Sequence, residues 1–155
     1  GWIKTDNQQK LRNRIWRTLR DEGSAALAEY QTFCAFGAPF VQTKPWAIVQ
    51  AAIDNAATGE FFDRQMDLNS RVDVASAVAH VSARSLVIAC RFDQMVPVRH
   101  SKLLFGGLAD ARYVELDSGH AVVQERPAEL FQLITDFTNA SNRCPAGTVI
   151  TRSAV

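Results

Sequence analysis

Two residues in the second half of this sequence have the types and spacing for proton transfer. Asp93 stands in RFDQMVP and His120 in DSGHAVVQERP, 27 residues apart. A neutral imidazole can take a proton from a hydroxyl or thiol nucleophile and return it to a leaving group. A carboxylate bonded to the other ring nitrogen fixes the tautomer and offsets the imidazolium charge. Asp117 and Glu125 are acidic neighbours of His120, and either could orient it in place of Asp93. His100 reads as a first-turn helix residue and His80 as a helix-end residue. Met95 and Val96, just past Asp93, read as pocket wall.

The elements that must hold this pair follow from the pattern around it. RSLVIAC, residues 84–90, is a continuous apolar run of the kind that forms a parallel strand buried on both faces. ARYVELD, 111–117, is a second strand. Helices are predicted between them (98–108) and after them (127–139, with Pro127 in the first turn). This strand–helix–strand–helix order is that of a parallel α/β sheet. Asp93 and His120 then fall just beyond the carboxyl ends of neighbouring strands, where open parallel sheets gather function.

Residues 1–80 have a different character. Helices are predicted over 6–20, 24–36, 45–57, 60–69 and 72–80. Asp6 caps the first, whose Leu11, Ile15, Trp16 and Leu19 recur at helical spacing. Gly37-Ala38-Pro39 ends the second, and Pro45 at N1 opens the third. The last stretch, 140–155, has little periodicity and reads as a loosely attached tail.

LVIACRFDQMVP and SGHAVVQERPAEL, on this frame, resemble the acid and histidine segments of the α/β-hydrolase superfamily. The resemblance covers residues 84–139, with Cys90 where the family usually has glycine. It implies the C-terminal part of an α/β-hydrolase fold. Residues 1–83 would be a post-nucleophile segment and helical cap, 84–139 the core with the acid and histidine loops, and 140–155 a tail. It favours Asp93 as the acid and His120 as the base. Trp2, Met95, Val96 and Ala121 become the substrate-binding candidates, under cap helices that carry Trp16, Phe33, Phe36, Phe40, Trp46, Phe61 and Phe62, most of which read as core at helical spacing and the rest as pocket roof.

In that superfamily the nucleophile precedes the acid, in a G-x-S-x-G turn where only small neighbours fit. Ser24, Ser70, Ser76, Ser82 and Ser85 all lack flanking glycines at those offsets, and Cys34 has no strand before it. The expectation is a serine-type hydrolase of an ester, thioester or amide of a small apolar or aromatic substrate, or an acyltransferase. Its nucleophile would lie on an upstream segment or a partner chain, docked through a large apolar interface, and the two-part unit could pair further as a homodimer. Two other readings keep the frame: a non-catalytic binding protein, and a lyase, isomerase or cyclase using His120 as general base.

Composition narrows the classes further. The 155 residues are 47% hydrophobic and 21% charged, as in an ordinary globular domain, and the net charge of +1 gives no footprint for nucleic acid. Apolar runs are too short to span a membrane, and the opening GWIKTDNQQK is polar; the expected setting is the cytoplasm. Cys34, Cys90 and Cys144 suit free thiols, with a Cys34–Cys90 or Cys34–Cys144 bridge left open. No spacing suits zinc, and no cofactor is implied.

Overall fold

The computed structural model describes residues 2–56, 58–139 and 144–151. Three parallel strands, β1 (Ser85–Cys90), β2 (Ala111–Leu116) and β3 (Val149–Ile150), form a sheet in the order β1-β2-β3. β1 pairs with β2 along its whole length, from Ser85 opposite Ala111 to Cys90 opposite Leu116. Alternation then divides the sheet into two faces. Val87, Ala89 and Tyr113 pack against the crossover helix (Val98–Gly107) through Val98, Leu104 and Phe105. Val114 and Leu116 pack against Leu133 of the last helix (Pro127–Asn139), with Leu86 and Ile88 beside them. The sheet is thus the middle of three layers.

Six helices precede the sheet: α1 (Asn7–Asp21), α2 (Ala26–Ala35), α3 (Ala38–Thr43), α4 (Trp46–Asp54), α5 (Glu60–Arg71) and α6 (Ala75–Val78). The helices after β1 are α7 (Val98–Gly107), α8 (Val122–Glu125) and α9 (Pro127–Asn139). α1 opens with a capping box: Asp6 Oδ1 accepts the Gln9 amide at 2.9 Å and Gln9 Oε1 accepts the Asp6 amide at 3.3 Å. The helical layer has its own core of Trp16, Leu27, Cys34, Phe62 and Met66. Trp16 meets Phe62 edge-on, with ring centroids 5.6 Å apart. Phe33, Trp46 and Phe61, expected in core or pocket roof, are instead exposed.

The structure departs from the sequence reading in several places. The helix expected over 72–80 is the shorter α6, α8 has no counterpart in the sequence reading, and neither has α3, since Gly37-Ala38-Pro39 predicts only a stop. Proline in a first turn starts a helix as readily as it follows one, and it lies in the first turn of α3. Pro45 caps α4 rather than opening it. The predicted end of that helix at Ala57 lies outside the described residues.

The tail also differs over its described part, 144–151. Gly147, at φ +81°, turns the chain so that its amide reaches Ala111 O at 2.9 Å. Val149 and Ile150 then pair with Tyr113 and Val114 of β2. A two-residue strand leaves too short a pattern to read. Residues 140–143 and 152–155 lie outside the described residues.

The largest departure is in α1, whose buried residues are Gln9, Arg12, Asn13 and Trp16. Leu11, expected in the apolar stripe, is 62% exposed. Trp16 and Leu19 pack in the helical core as the spacing predicts, but the first turns bury Gln9, Arg12 and Asn13 where Leu11 is expected.

Candidate active site

Asp93 leaves β1 by a tight turn that its own side chain builds. Its Oδ1 accepts the amides of Met95 at 2.7 Å and Val96 at 2.8 Å. This leaves Oδ2 for His120 Nδ1, 2.9 Å away. A carboxylate can only accept, so Nδ1 carries the hydrogen, and in a neutral ring Nε2 then presents the lone pair. Asp93 is 8% exposed at its side chain and His120 47%, so the acid is sheltered while the base faces outward. Asp117 and Glu125 have other partners: Asp117 pairs with Arg91, and Glu125 binds backbone.

Glu125 holds the histidine loop. Its Oε1 accepts the amides of Gly119 and Gly37, each at 3.0 Å, and both glycines are buried. One carboxylate oxygen thus ties the loop carrying His120 to the exit of α2. The amide of Ala121 adds a bond to Ala35 O at 2.9 Å. The contact is so close that a Cβ on Gly119 would lie 2.6 Å from Phe36 C and 2.7 Å from Ala35 O. The glycine of the Gly-His pair is therefore required by the backbone that crosses it.

Arg12 holds the acid loop from the other side. Its guanidinium donates to the carbonyls of Gln94 and Met95 and, at 2.9 Å, to Asn13 Oδ1. It lies 4.6 Å from the Trp16 ring centroid. Burial lowers its pKa. Gln9 Nε2 also reaches Met95 O. Asp93 thus holds the amides of the loop and α1 holds its carbonyls.

A cavity of about 210 Å³ opens beside His120, walled by the polar side of α1, by Phe62 and Met66 of α5, and by Met95 and Val96. A second hollow of about 550 Å³ is lined by Phe36, Phe40, Ile48, Ala121 and, shared with the first, Met95. Met95 and Val96 therefore line the cavity with His120, while Ala121 lines the second hollow. Trp2 lines neither: its indole donates to His100 O at 2.9 Å, and Ile3 and Thr5 line the cavity in its place. His100 is buried under α1, 2.5 Å from Asp6 Oδ2, and His80 bonds Ser76 O on the surface.

Neither cysteine near the site is poised as a nucleophile. Burial, with Asp93 and Glu125 nearby, pushes the Cys90 thiol up to about 11. Burial also raises Cys34, which sits in the helical core. All three cysteines are free. Among the described residues, no three His, Cys, Asp or Glu side chains cluster to hold a metal, and no helix is long and apolar enough to cross a membrane.

Comparison with known proteins identifies the frame. No protein-family model matches the chain. Its structure superposes on an alpha/beta hydrolase enzyme from a Medee basin deep-sea metagenome library with a TM-score of 0.78 and 20% identity, covering 93% of this chain and 55% of the other. A thermophilic esterase from Thermogutta terrifontis gives 0.70 and 17%, covering 89% and 52%. The enol-lactonase from Burkholderia xenovorans gives 0.69 and 24%, covering 83% and 49%. In sequence the chain is 29% identical over 135 residues to the pyrrolizixenacetamide deacetylase of Xenorhabdus hominickii, covering 85% of this chain and 51% of the relative. The chain has the C-terminal part of the α/β-hydrolase fold, helical cap included. It spans about half the length of the proteins it matches.

Proposed function

We propose that this chain supplies the acid and base of a serine-type α/β-hydrolase acting on an ester, thioester or amide of a small substrate, or transferring its acyl group. The nucleophile comes from outside these 155 residues, on an upstream segment or a partner chain. His120 Nε2 takes the proton from the nucleophile's hydroxyl or thiol as it attacks the carbonyl carbon. The same proton then goes to the leaving group as the acyl bond breaks, leaving the acyl group on the nucleophile. Water, or an acceptor in acyl transfer, attacks that carbonyl carbon while Nε2 takes its proton and returns it to the departing nucleophile. Asp93 holds Nδ1–H throughout and offsets the imidazolium charge. The observation that carries this reading is the 2.9 Å Asp93–His120 bond at the carboxyl ends of adjacent parallel strands. The half-length match to hydrolases supports it, and a relative named as a deacetylase keeps amides among the substrates.

The sheet supports a partner segment. β1 lies at the sheet's end in the order of described strands, although it is the apolar strand nearest the acid. Edge strands of that kind are seldom left bare.

The test begins with intact-mass spectrometry of the native protein. A second species, or a longer polypeptide, bearing a small-x-Ser/Cys-x-small turn should be found. A fluorophosphonate should label that part and not residues 1–155. His120→Ala should abolish the labelling, and Asp93→Asn should lower kcat by about 10⁴. Labelling that survives His120→Ala would sink the proposal.

A further inference from the structure

The cavity beside His120 is lined by Arg12, Trp16 and Thr5 among other residues. Arg12 is buried, yet it hydrogen-bonds the neutral oxygens of Gln94, Met95 and Asn13. No aspartate or glutamate lines the cavity. Asp93 and Asp6 favour the charge of Arg12 through space, but neither carboxylate bonds it, and a buried guanidinium without a bonded carboxylate still attracts a further anion. Two further groups point the same way. The Trp16 indole N–H and the Thr5 hydroxyl are both buried without a partner, and both residues line this same cavity. The indole nitrogen can only donate. Buried polar groups are ordinarily paired, so two orphans in one hollow mark a position that another molecule fills. The inward polar side of α1 brings Arg12 and Trp16 to that hollow at the expense of burying Leu11.

We infer that this cavity binds a carboxylate carried by the substrate, held by Arg12 with Trp16 and Thr5, while the scissile acyl group lies at His120. Trp16, Phe62 and Met66 give the adjoining apolar wall. This deepens the proposed hydrolase reading and rests on it for the placement of the acyl group. The anion-binding part stands on the cavity alone.

The experiment is calorimetric titration of the native protein with 3-phenylpropionate and, separately, with its neutral amide, 3-phenylpropionamide. The carboxylate should bind at least about tenfold more tightly. Arg12→Gln should remove that preference, and Trp16→Phe, which keeps a ring and deletes the N–H, should weaken carboxylate binding several-fold. Equal affinity for acid and amide in the native protein overturns the inference, as does a preference that survives Arg12→Gln. Should Arg12→Gln fail to fold, Trp16→Phe and Thr5→Val decide, and carboxylate affinity unchanged in both overturns it. His120→Ala separates the two ideas. It should leave the preference for the acid intact while ending hydrolysis. Hydrolysis that persists in His120→Ala refutes the function without touching the carboxylate site.

Discussion

Gly119 shows how little freedom the base has. The backbone of residues 35–37 passes across its Cα, and Gly37 is as tightly placed: a Cβ there would lie 3.0 Å from the Gly119 amide. Neither neighbour is the movable end of a side chain. Gly119→Ala must therefore push the His120 loop away from α2. A displacement of about 1 Å in a reacting group can cost about 10² in rate. Hydrolysis by Gly119→Ala should fall by at least that factor while substrate binding changes little, and a KM-against-kcat comparison checks it. Of this residue-scale arrangement, Asp93 and His120 were legible because their chemistry and strand-end positions coincide. The role of Glu125 was not, because a carboxylate that binds backbone amides looks in sequence like one that could orient the histidine.

At the scale of elements, the two loops of the pair are held by different parts of the cap. The acid loop is held by α1 through Arg12 and Gln9, and the histidine loop by the end of α2 through Glu125. Removing Glu125 leaves two buried amides without an acceptor, at about 1–3 kcal/mol each. Glu125→Ala should lower stability to urea by that order and speed amide exchange at Gly37 and Gly119. Glu125→Gln keeps a carbonyl oxygen at the same reach and should restore much of both. α1 is also where the sequence misled. Of the stripe Leu11, Ile15, Trp16 and Leu19, Trp16 and Leu19 pack in the helical core and Leu11 does not, because contacts of Gln9 and Arg12 with the acid loop take the inner side of the first turns. β1, β2, α7 and α9 were legible because strand and helix periods switch cleanly there. Short elements such as α3 and α8 contain too few residues for a period to show.

Taken whole, the molecule is a helical cap fastened to a three-layer core, with one joint near the start of the chain. There Asp6 caps α1, lies 2.5 Å from the buried His100 and pairs with Arg99. Burial pushes the Asp6 pKa upward, but the Gln9 amide, His100 and Arg99 outweigh it and the net shift is downward from 3.8. A carboxyl whose pKa is lower folded than unfolded adds stability above its unfolded pKa and loses it as pH falls through the folded value. The joint should therefore loosen on acidification below about pH 4, the ordinary aspartate range. Asp6→Asn retains a good N-cap while removing the charge. It should be less stable near neutrality and show a shallower acid transition, followed by circular dichroism from pH 7 to 2.

β3 makes β2 the inner strand of the described sheet. Val149 and Ile150 pair with Tyr113 and Val114, so β2 is gripped from both sides there, while β1 and β3 are the two edges. The strand that leads to His120 is therefore clamped between two neighbours, and the strand that leads to Asp93 has one. Fraying of the sheet should begin at β1 and β3 and reach the stem of the histidine loop last.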